Sequence, residues 1–212
     1  NETETITNKP EECELSYYDA ILDEGYYFMS LDENDDYKYN AEEISELVKE
    51  GQVIVNVGKG IEEATLSTLV EVIKSEIPQA DVCVMSGPSH AEEVVVRLLT
   101  TVCAVSLNDE DAKTIQNVFS NNYFRVYTGN DEVGSELGVA IKNSIALASG
   151  MLARIGYGDN TRAALITRGL AEMIRFGVAF GGQEKTFMGL TGIGDLIVTC
   201  TSVHSRNFEA GY

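Results

Sequence analysis

A long apolar segment with a lysine at its centre constrains the fold of this chain more than any other feature. From Leu137 to Ala153 the residues are apolar or small almost all the way round a helix, which predicts a helix buried on most of its faces. Lys142 lies in the middle of it, and a lysine is rarely fully buried unless it is paired or has a task. Desolvation would lower its pKa and make it a better proton donor or acceptor near neutral pH. The segment alone is equally compatible with a lysine that extends to the wet edge of a core helix.

Composition excludes several classes of function. The 212 residues suffice for one large or two small domains. The formal net charge of −19 makes nucleic acid and anionic membranes poor partners, and no segment has the length of a membrane span. The four cysteines are widely spaced without a CxxC pair, which is typical of reduced thiols in a cytoplasmic protein. Two histidines have no metal-site spacing, so no metal is expected.

Residues 1–40 form an acidic segment, with twelve Asp and Glu residues against two lysines. Tyr26–Met29 is an apolar patch that could pair as a strand, but no helical or strand period runs through the segment. We therefore predict an irregular, partly disordered segment. A dinucleotide-binding domain should open with a strand, a Gly-x-Gly-x-x-Gly turn and a helix, and residues 1–40 contain no such turn.

Residues 41–129 have the pattern of an α/β domain. The expected elements are a helix over 41–50, a strand over 53–57, a helix over 62–77, strands over 82–85 and 100–106, a helix over 109–120 and a strand over 124–127. The β-branched runs predict buried parallel strands, and ligands bind such sheets outside the carboxyl ends of the strands. Lys59 and the turn at residues 86–91 both lie at such ends.

Residues 130–212 form a second, all-helical domain in this interpretation, with the boundary near residue 129. Helices are expected at about 132–154, 160–176 and 184–199. Asp159 and Asn160 are suited to cap the second of them. The glycines from Gly189 to Gly194 follow no strand and have the wrong order for a nucleotide-binding turn, so we expect a tight loop before Asp195 there.

Five motifs occur in order along the chain: Gly58-Lys59-Gly60, Gly87-Pro-Ser89-His90-Ala91, Lys142-Asn143, the run from Gly192 to Thr199, and Ser205-Arg206-Asn207. Together they resemble bacterial-type NAD(P)-dependent glycerol-3-phosphate dehydrogenases over residues 42–207. The resemblance implies an incomplete Rossmann-like parallel sheet followed by an all-helical domain similar to that of 6-phosphogluconate dehydrogenase. The family usually has Thr or Ser at position 58, and Phe is common at position 90.

The resemblance also implies a role for each motif. Lys142 would be the catalytic proton donor. The implied substrate-binding residues are Lys59, Gly87, Ser89, Asn143, Asp195, Thr199, Ser205, Arg206 and Asn207. Lys59, Ala91 and Arg206 would contact the NAD or NADP cofactor.

From the residues alone, each role has a plainer alternative. A lysine between glycines is usually a surface residue, and Gly87 belongs to an ordinary turn. Asp195 could cap a helix. An isolated arginine such as Arg206 is usually solvated.

The implied activity is the interconversion of dihydroxyacetone phosphate and sn-glycerol 3-phosphate, which supplies glycerophospholipid synthesis in the cytoplasm. The sequence does not decide between NAD and NADP, and the resemblance is compatible with a homodimer. Two alternatives stay open: a dehydrogenase of another hydroxy acid, and an inactive remnant that acts as an interaction module. Because the Gly-rich turn is missing, we also expect this chain alone to bind NADH weakly and to show no measurable turnover.

Overall fold

A computed structural model describes residues 26–29, 41–42 and 44–212. These residues form a five-stranded sheet, followed by a group of helices. The strands are β1 (Tyr26–Met29), β2 (Val53–Asn56), β3 (Asp81–Ser86), β4 (Thr100–Val105) and β5 (Phe124–Gly129), and their order in the sheet is β1-β2-β3-β4-β5. The pairs β1–β2, β2–β3 and β4–β5 are parallel. No helix in the described part of the chain is both long and apolar enough to cross a membrane.

The prediction of an all-parallel sheet is wrong at one pair, because β3 and β4 are antiparallel, with Val84 opposite Val105. A parallel return needs a crossover that covers the sheet, usually with a helix. The connection between these strands contains only a five-residue helix, α2 (Ala91–Val95), which has no buried residue. The chain therefore turns back beside β3 without such a crossover.

The prediction for residues 1–40 is wrong at Tyr26–Met29, which form β1 and pair with β2 in register Tyr26 to Val53. The expected irregularity of the other residues up to 40 lies outside the described residues. Residues 41, 42 and 44 are helical, as expected at the start of the predicted 41–50 helix, but residues 45–50 form turns and irregular backbone, so the prediction is wrong for that part. Ile44 and Val48 are buried in this segment, whereas Leu47 is 60% exposed.

Helix α1 (Leu69–Glu76) begins seven residues later than the predicted 62–77 helix. Thr68 caps it in a capping box with Glu71, which fixes the start. Before it, the Glu62 carboxylate accepts hydrogen bonds from the backbone N–H groups of residues 64 and 65, and Leu66 has a left-handed φ of 58°. These local contacts compete with helix formation and hold a turn instead.

Two apolar clusters cover the two faces of the sheet. One contains Ile54, Val82 and Val84 with the buried face of α1. The other contains Val55, Cys83 and Val102 with Ile115 of helix α3 (Asp109–Phe119). Ala112 and Ile115 form the buried face of α3, whereas Val118 is 43% exposed.

The helical part follows the sheet after a short connection. Its elements are α4 (Glu132–Ile155), α5 (Asp159–Ala179), α6 (Glu184–Phe187), a π-helical segment (Leu190–Gly194), α7 (Asp195–Thr201) and α8 (Arg206–Gly211). The helices expected at 132–154 and 160–176 are confirmed within a few residues. The cap of α5 is Gly158, which makes no side-chain cap bond, so the assignment of Asp159 and Asn160 as caps is wrong. The division into two domains at residue 129 stays a prediction.

The helix predicted over 184–199 is divided into α6, the π-helical segment and α7. Glycine explains the division, because a Cβ at Gly192 would lie 2.1 Å from the carbonyl oxygen of Phe187. Gly189 has an extended backbone between the first two pieces. The tight turn expected before Asp195 is therefore present as a π-helical turn, a form that often occurs at functional sites.

Helix α4 is the centre of the helical part and packs against α5, α7 and α8. The backbone of α8 packs closely against Gly150 of α4, where a Cβ would lie 2.0 Å from the carbonyl oxygen of Phe208. The helix that begins with Arg206 is thereby held against the helix that carries Lys142.

Candidate active site

Lys142 is buried, with 3% of its surface exposed, and its ammonium group has two side-chain partners. Nζ lies 2.6 Å from Oδ2 of Asp195 and donates a hydrogen bond of 2.7 Å to Oγ1 of Thr199. Asp195 and Thr199 lie one turn apart on α7, so one face of that helix presents both groups to α4. Lys142 therefore does not extend to water, and the alternative interpretation of this lysine is wrong.

Thr199 also fixes the orientation of this group of residues. Its hydroxyl donates to the backbone carbonyl of Asp195 at 2.6 Å, which leaves the oxygen lone pairs to accept from Lys142. A buried charge is tolerated only when it is paired and hydrogen-bonded. Lys142 meets both conditions within the described residues.

Lys59 reaches the same carboxylate oxygen from the sheet. It follows the carboxyl end of β2, and its Nζ lies 3.1 Å from Oδ2 of Asp195, while its side chain is 33% exposed. Strands β2 and β3 are parallel, so the turn at residues 86–91 leaves the sheet at the same edge. One carboxylate oxygen thus holds two cations.

The pKa of Lys142 is lowered to about 8, chiefly by burial and secondly by the positive charge of Lys59, while Asp195 opposes both. Desolvation disfavours the ammonium form, and a neighbouring cation acts in the same direction. A lysine with this pKa exists in both protonation states near neutral pH, as a group that gives and takes protons must.

A cavity of about 190 Å³ opens beside these residues. Its wall is formed by Lys59, Ser89, His90, Lys142, Asn143, Asp195, Thr199, His204, Ser205, Arg206 and Asn207. Three of these residues are cations and one is a carboxylate. In a chain with a net charge of −19, this excess of positive charge makes the cavity a local site for an anion.

The cavity brings together nine of the eleven residues singled out in the sequence, and leaves out Gly87 and Ala91. Gly87 has a φ of +149°, and a Cβ there would lie 3.0 Å from the backbone of Val102. It allows the tight turn after β3 that carries Ser89 to the cavity. Ala91 is exposed at the first position of α2.

Arg206 is the exposed cation of the cavity wall, at the first position of α8. Buried Ser205 caps that helix, and its hydroxyl accepts from the N–H of Phe208 at 3.2 Å. The cap fixes where the arginine leaves the backbone. A guanidinium group presents paired donors that match the geometry of a phosphate.

Sequence reasoning did not assign a site role to His90 or His204, yet both line the cavity, with ring centroids 6.0 Å apart. It also did not single out Asn56 and Glu136, two polar residues that are buried behind the site. The sequence contains a signal for these two residues. Each is a polar residue within a run that is otherwise apolar or small, which is the same anomaly that drew attention to Lys142.

The chemistry of the cavity fits a small phosphorylated molecule better than a whole dinucleotide. About 190 Å³ is well below the range of roughly 300–1,000 Å³ typical of larger ligand pockets. Lys59 and Arg206, two of the three residues that the resemblance assigns to the cofactor, are on the cavity wall. A Gly-rich turn between a strand and a helix, which would hold the pyrophosphate, does not occur in the described part of the chain.

Comparison with known proteins gives a consistent result. Two family models match: the NAD-dependent glycerol-3-phosphate dehydrogenase N-terminus over residues 34–112 and the C-terminus of the same enzyme over residues 131–212. The chain is 57% identical over 171 residues to glycerol-3-phosphate dehydrogenase [NAD(P)+] of Agathobacter rectalis, covering 81% of this chain and 51% of that protein. It is 59% identical over 162 residues to the Geobacillus kaustophilus enzyme of that name, covering 75% and 47%.

Solved structures agree with these sequence matches. Glycerol-3-phosphate dehydrogenase from Coxiella burnetii superimposes with a TM-score of 0.81 and 36% identity, over 88% of this chain and 56% of that one. The chain belongs to the NAD-dependent glycerol-3-phosphate dehydrogenase family. It spans about half the length of the curated relatives that it matches.

Proposed function

We propose that this chain carries the substrate-binding and proton-transfer part of an enzyme that interconverts dihydroxyacetone phosphate and sn-glycerol 3-phosphate with NAD or NADP. The observation that supports this most strongly is the buried ammonium of Lys142 between Asp195 and Thr199, with its pKa lowered to about 8, at the wall of a cation-rich cavity.

Lys142 is the proposed catalytic residue. In the direction of reduction its ammonium gives a proton to the carbonyl oxygen of the substrate as that carbon is reduced, and the neutral amine remains held by Thr199. In the direction of oxidation the neutral amine takes the hydroxyl proton. When bound, the nicotinamide cofactor supplies or accepts the hydride.

The phosphate group is the proposed ligand of Arg206, with Lys59, Ser205 and Asn207 at the same cavity. Arg206 supplies a planar fork of donors, and Lys59 supplies a second charge that is already held by Asp195. Asn143 follows Lys142 on α4, lines the cavity, and is the proposed hydrogen-bond partner of a substrate hydroxyl. Lys59, Ala91 and Arg206 would hold the reacting end of the cofactor.

Glycerophospholipid synthesis, the cytoplasm and a homodimer belong to the same proposal. The described cysteines, Cys83, Cys103 and Cys200, are free thiols, which supports a reducing compartment. Exposed apolar side chains at the C-terminal end of α5, which are Phe176, Val178 and the C-cap residue Phe180, support an assembly that covers them. Light scattering on the purified protein measures the assembly.

The test of the activity compares substrates. An enzyme that contains this chain together with a Gly-rich cofactor-binding turn is assayed with NADH and NADPH, on dihydroxyacetone phosphate and on a panel of 2-keto acids without phosphate. We expect turnover of the phosphorylated substrate alone. Equal or better turnover of a keto acid would overturn the proposed substrate in favour of another hydroxy acid, and absence of turnover with every substrate would favour a binding module.

A further inference from the structure

Glu136 is a buried carboxyl group that the proposed reaction does not use. It is 3% exposed and lies on α4, six residues before Lys142. Its Oε1 accepts two hydrogen bonds, one of 3.0 Å from the N–H of Val70 in α1 and one of 3.2 Å from Nδ2 of Asn56 at the end of β2. One carboxyl oxygen thereby joins α4, α1 and the sheet.

Asn56 continues this connection to the cavity. Its side chain is fully buried, and its Oδ1 accepts a hydrogen bond of 2.8 Å from the N–H of Gly58. Gly58 immediately precedes Lys59, whose Nζ ends 3.1 Å from Asp195. The amide of Asn56 therefore has one end on the carboxyl group of α4 and the other on the turn that carries the cavity lysine.

We propose that Glu136, acting through Asn56, is a positioning residue that fixes the Gly58–Lys59 turn relative to Lys142 and Asp195. Loops at strand ends are mobile unless their backbone groups are bound, and Gly58 and Gly60 give this turn little stiffness of its own. A buried amide with both ends occupied supplies the missing constraint. The role of Lys59 toward a substrate rests on the proposed function, whereas its placement beside Lys142 does not.

The surroundings of Glu136 favour its neutral form. Its pKa is raised to about 7, chiefly by burial and also by the carboxylates of Glu132 and Glu71, against the side chain of Thr68 and the N–H of Val70, which lower it. Lys74 pairs with Glu132 at 3.0 Å. Oε2 has no hydrogen-bond partner among the described residues, and Oε1 accepts both of its bonds in either protonation state. The connection to Asn56 thus depends on an acceptor oxygen and not on a negative charge.

A positioning role has a consequence that a merely structural role would not have. The charge of Lys59 is one cause of the lowered pKa of Lys142, alongside burial and against Asp195, and the thiol of Cys200 also lies near that amine. If the Gly58–Lys59 turn loosens, the second ammonium spends less time beside Lys142. The pKa of Lys142 should then rise, although no group that touches Lys142 has been changed.

The experiment measures the pKa of Lys142 in the full chain by NMR titration of its side-chain ammonium, with Lys142→Arg to assign the signal. The variants are Asn56→Ala, with Asn56→Ser as a milder form, and the pair Glu136→Ala and Glu136→Gln. Glutamine keeps an acceptor oxygen for Asn56 and Val70, so it is the conservative rescue. Ile115→Val is the matched control, because it removes a methyl group from a buried residue of α3 on the sheet and does not touch the cavity.

We expect Asn56→Ala and Glu136→Ala to raise the pKa of Lys142 by a fraction of the roughly one pH unit expected when the charge of Lys59 is removed, and to weaken binding of sn-glycerol 3-phosphate about 3- to 10-fold by calorimetry. Glu136→Gln and Ile115→Val should match the wild type in both. An unchanged pKa in folded Asn56→Ala or Asn56→Ser protein overturns the inference, and so does a glutamine variant that behaves like alanine. A wild-type chain that fails to bind the substrate overturns the proposed function, while the titration still decides the positioning role.

Discussion

Two lysines end on the same oxygen of Asp195, and the regions that carry them differ in almost every other respect. Lys142 lies on a long helix surrounded by other helices, and its side chain is 4% exposed. Lys59 lies on a short turn between glycines at the edge of the sheet, and its side chain is 33% exposed. Two ammonium groups that share one carboxylate partner therefore lie in two different environments, one buried and one in contact with water.

The difference suits the two lysines to different parts of the proposed reaction. Burial on α4 is the largest cause of the lowered pKa of Lys142, about 8, which suits the proposed proton donor. Lys59 keeps contact with water, which suits the cation proposed to meet a phosphate. Asp195 serves both lysines, because a carboxylate buried between two ammonium groups is itself compensated.

Lys142→Met is expected to have the largest effect on activity. It removes the proton donor, so turnover should fall by about 10² or more, the usual contribution of a positioned acid. Lys142→Arg should be equally inactive, because a guanidinium keeps the charge but does not release its proton near neutral pH. Steady-state rates of dihydroxyacetone phosphate reduction measure this, in an enzyme that contains this chain together with a cofactor-binding turn. Near-normal turnover in either variant would contradict the proposed difference in role between Lys142 and Lys59.

Glu136→Gln is expected to change how stability depends on pH. The folded-state pKa of Glu136 is about 7, above its ordinary value of 4.5, so its contribution is complete below the lower value and is lost as pH rises through the higher one. From pH 5 to 8 the wild type should lose up to about 3 kcal/mol relative to the glutamine variant. Urea unfolding of both proteins across this range measures the difference, and parallel pH profiles would contradict the burial of an ionisable carboxyl group there.

Arg206→Lys tests the phosphate end of the cavity. Lysine keeps the charge and loses the planar fork, which should cost about 1–3 kcal/mol in substrate recognition, measured as kcat/KM. Dihydroxyacetone without the phosphate is the matched substrate, and it should be affected much less. An equal loss on both substrates would indicate that Arg206 supports the fold of α8 instead.

Local pattern was sufficient for much of this molecule. The apolar run around Lys142 predicts α4 almost to the residue, and the β-branched run from Val53 predicts β2. These predictions succeed because burial of an apolar face is recorded in the sequence at a fixed period. The motif at Ser205–Asn207 likewise lies on the cavity wall.

The hydrophobic pattern of the sequence does not predict which distant segments contact one another. The contact between Lys59 and Asp195 joins residues 136 apart in the chain, and no period in the sequence records it. The antiparallel direction of β4 was not predictable for the same reason, because a β-branched run indicates a strand but not whether that strand pairs in parallel or antiparallel. The division of the predicted 184–199 helix depends on the close approach of Gly192 to Phe187, which is a tertiary contact.

Lys59→Met is expected to have the smallest effect of these substitutions, and it separates the two lysines most directly. It removes the neighbouring cation that lowers the pKa of Lys142, while burial, the larger cause, stays in place. The pKa of Lys142 should therefore rise by roughly one pH unit, worth about 1.4 kcal/mol between its two forms.

The sign of this shift is visible in the pH dependence of kcat/KM. Reduction needs the ammonium form, so in the wild type it should decline above about pH 8, and oxidation of sn-glycerol 3-phosphate, which needs the neutral amine, should increase there. In Lys59→Met both limbs should move to higher pH, and substrate affinity should fall as well. Lys113→Met is the control, since that lysine is exposed and pairs with Glu110 away from the cavity. A limb that stays in place in Lys59→Met would mean that burial alone sets the pKa of Lys142, and that the two lysines share a carboxylate without influencing one another.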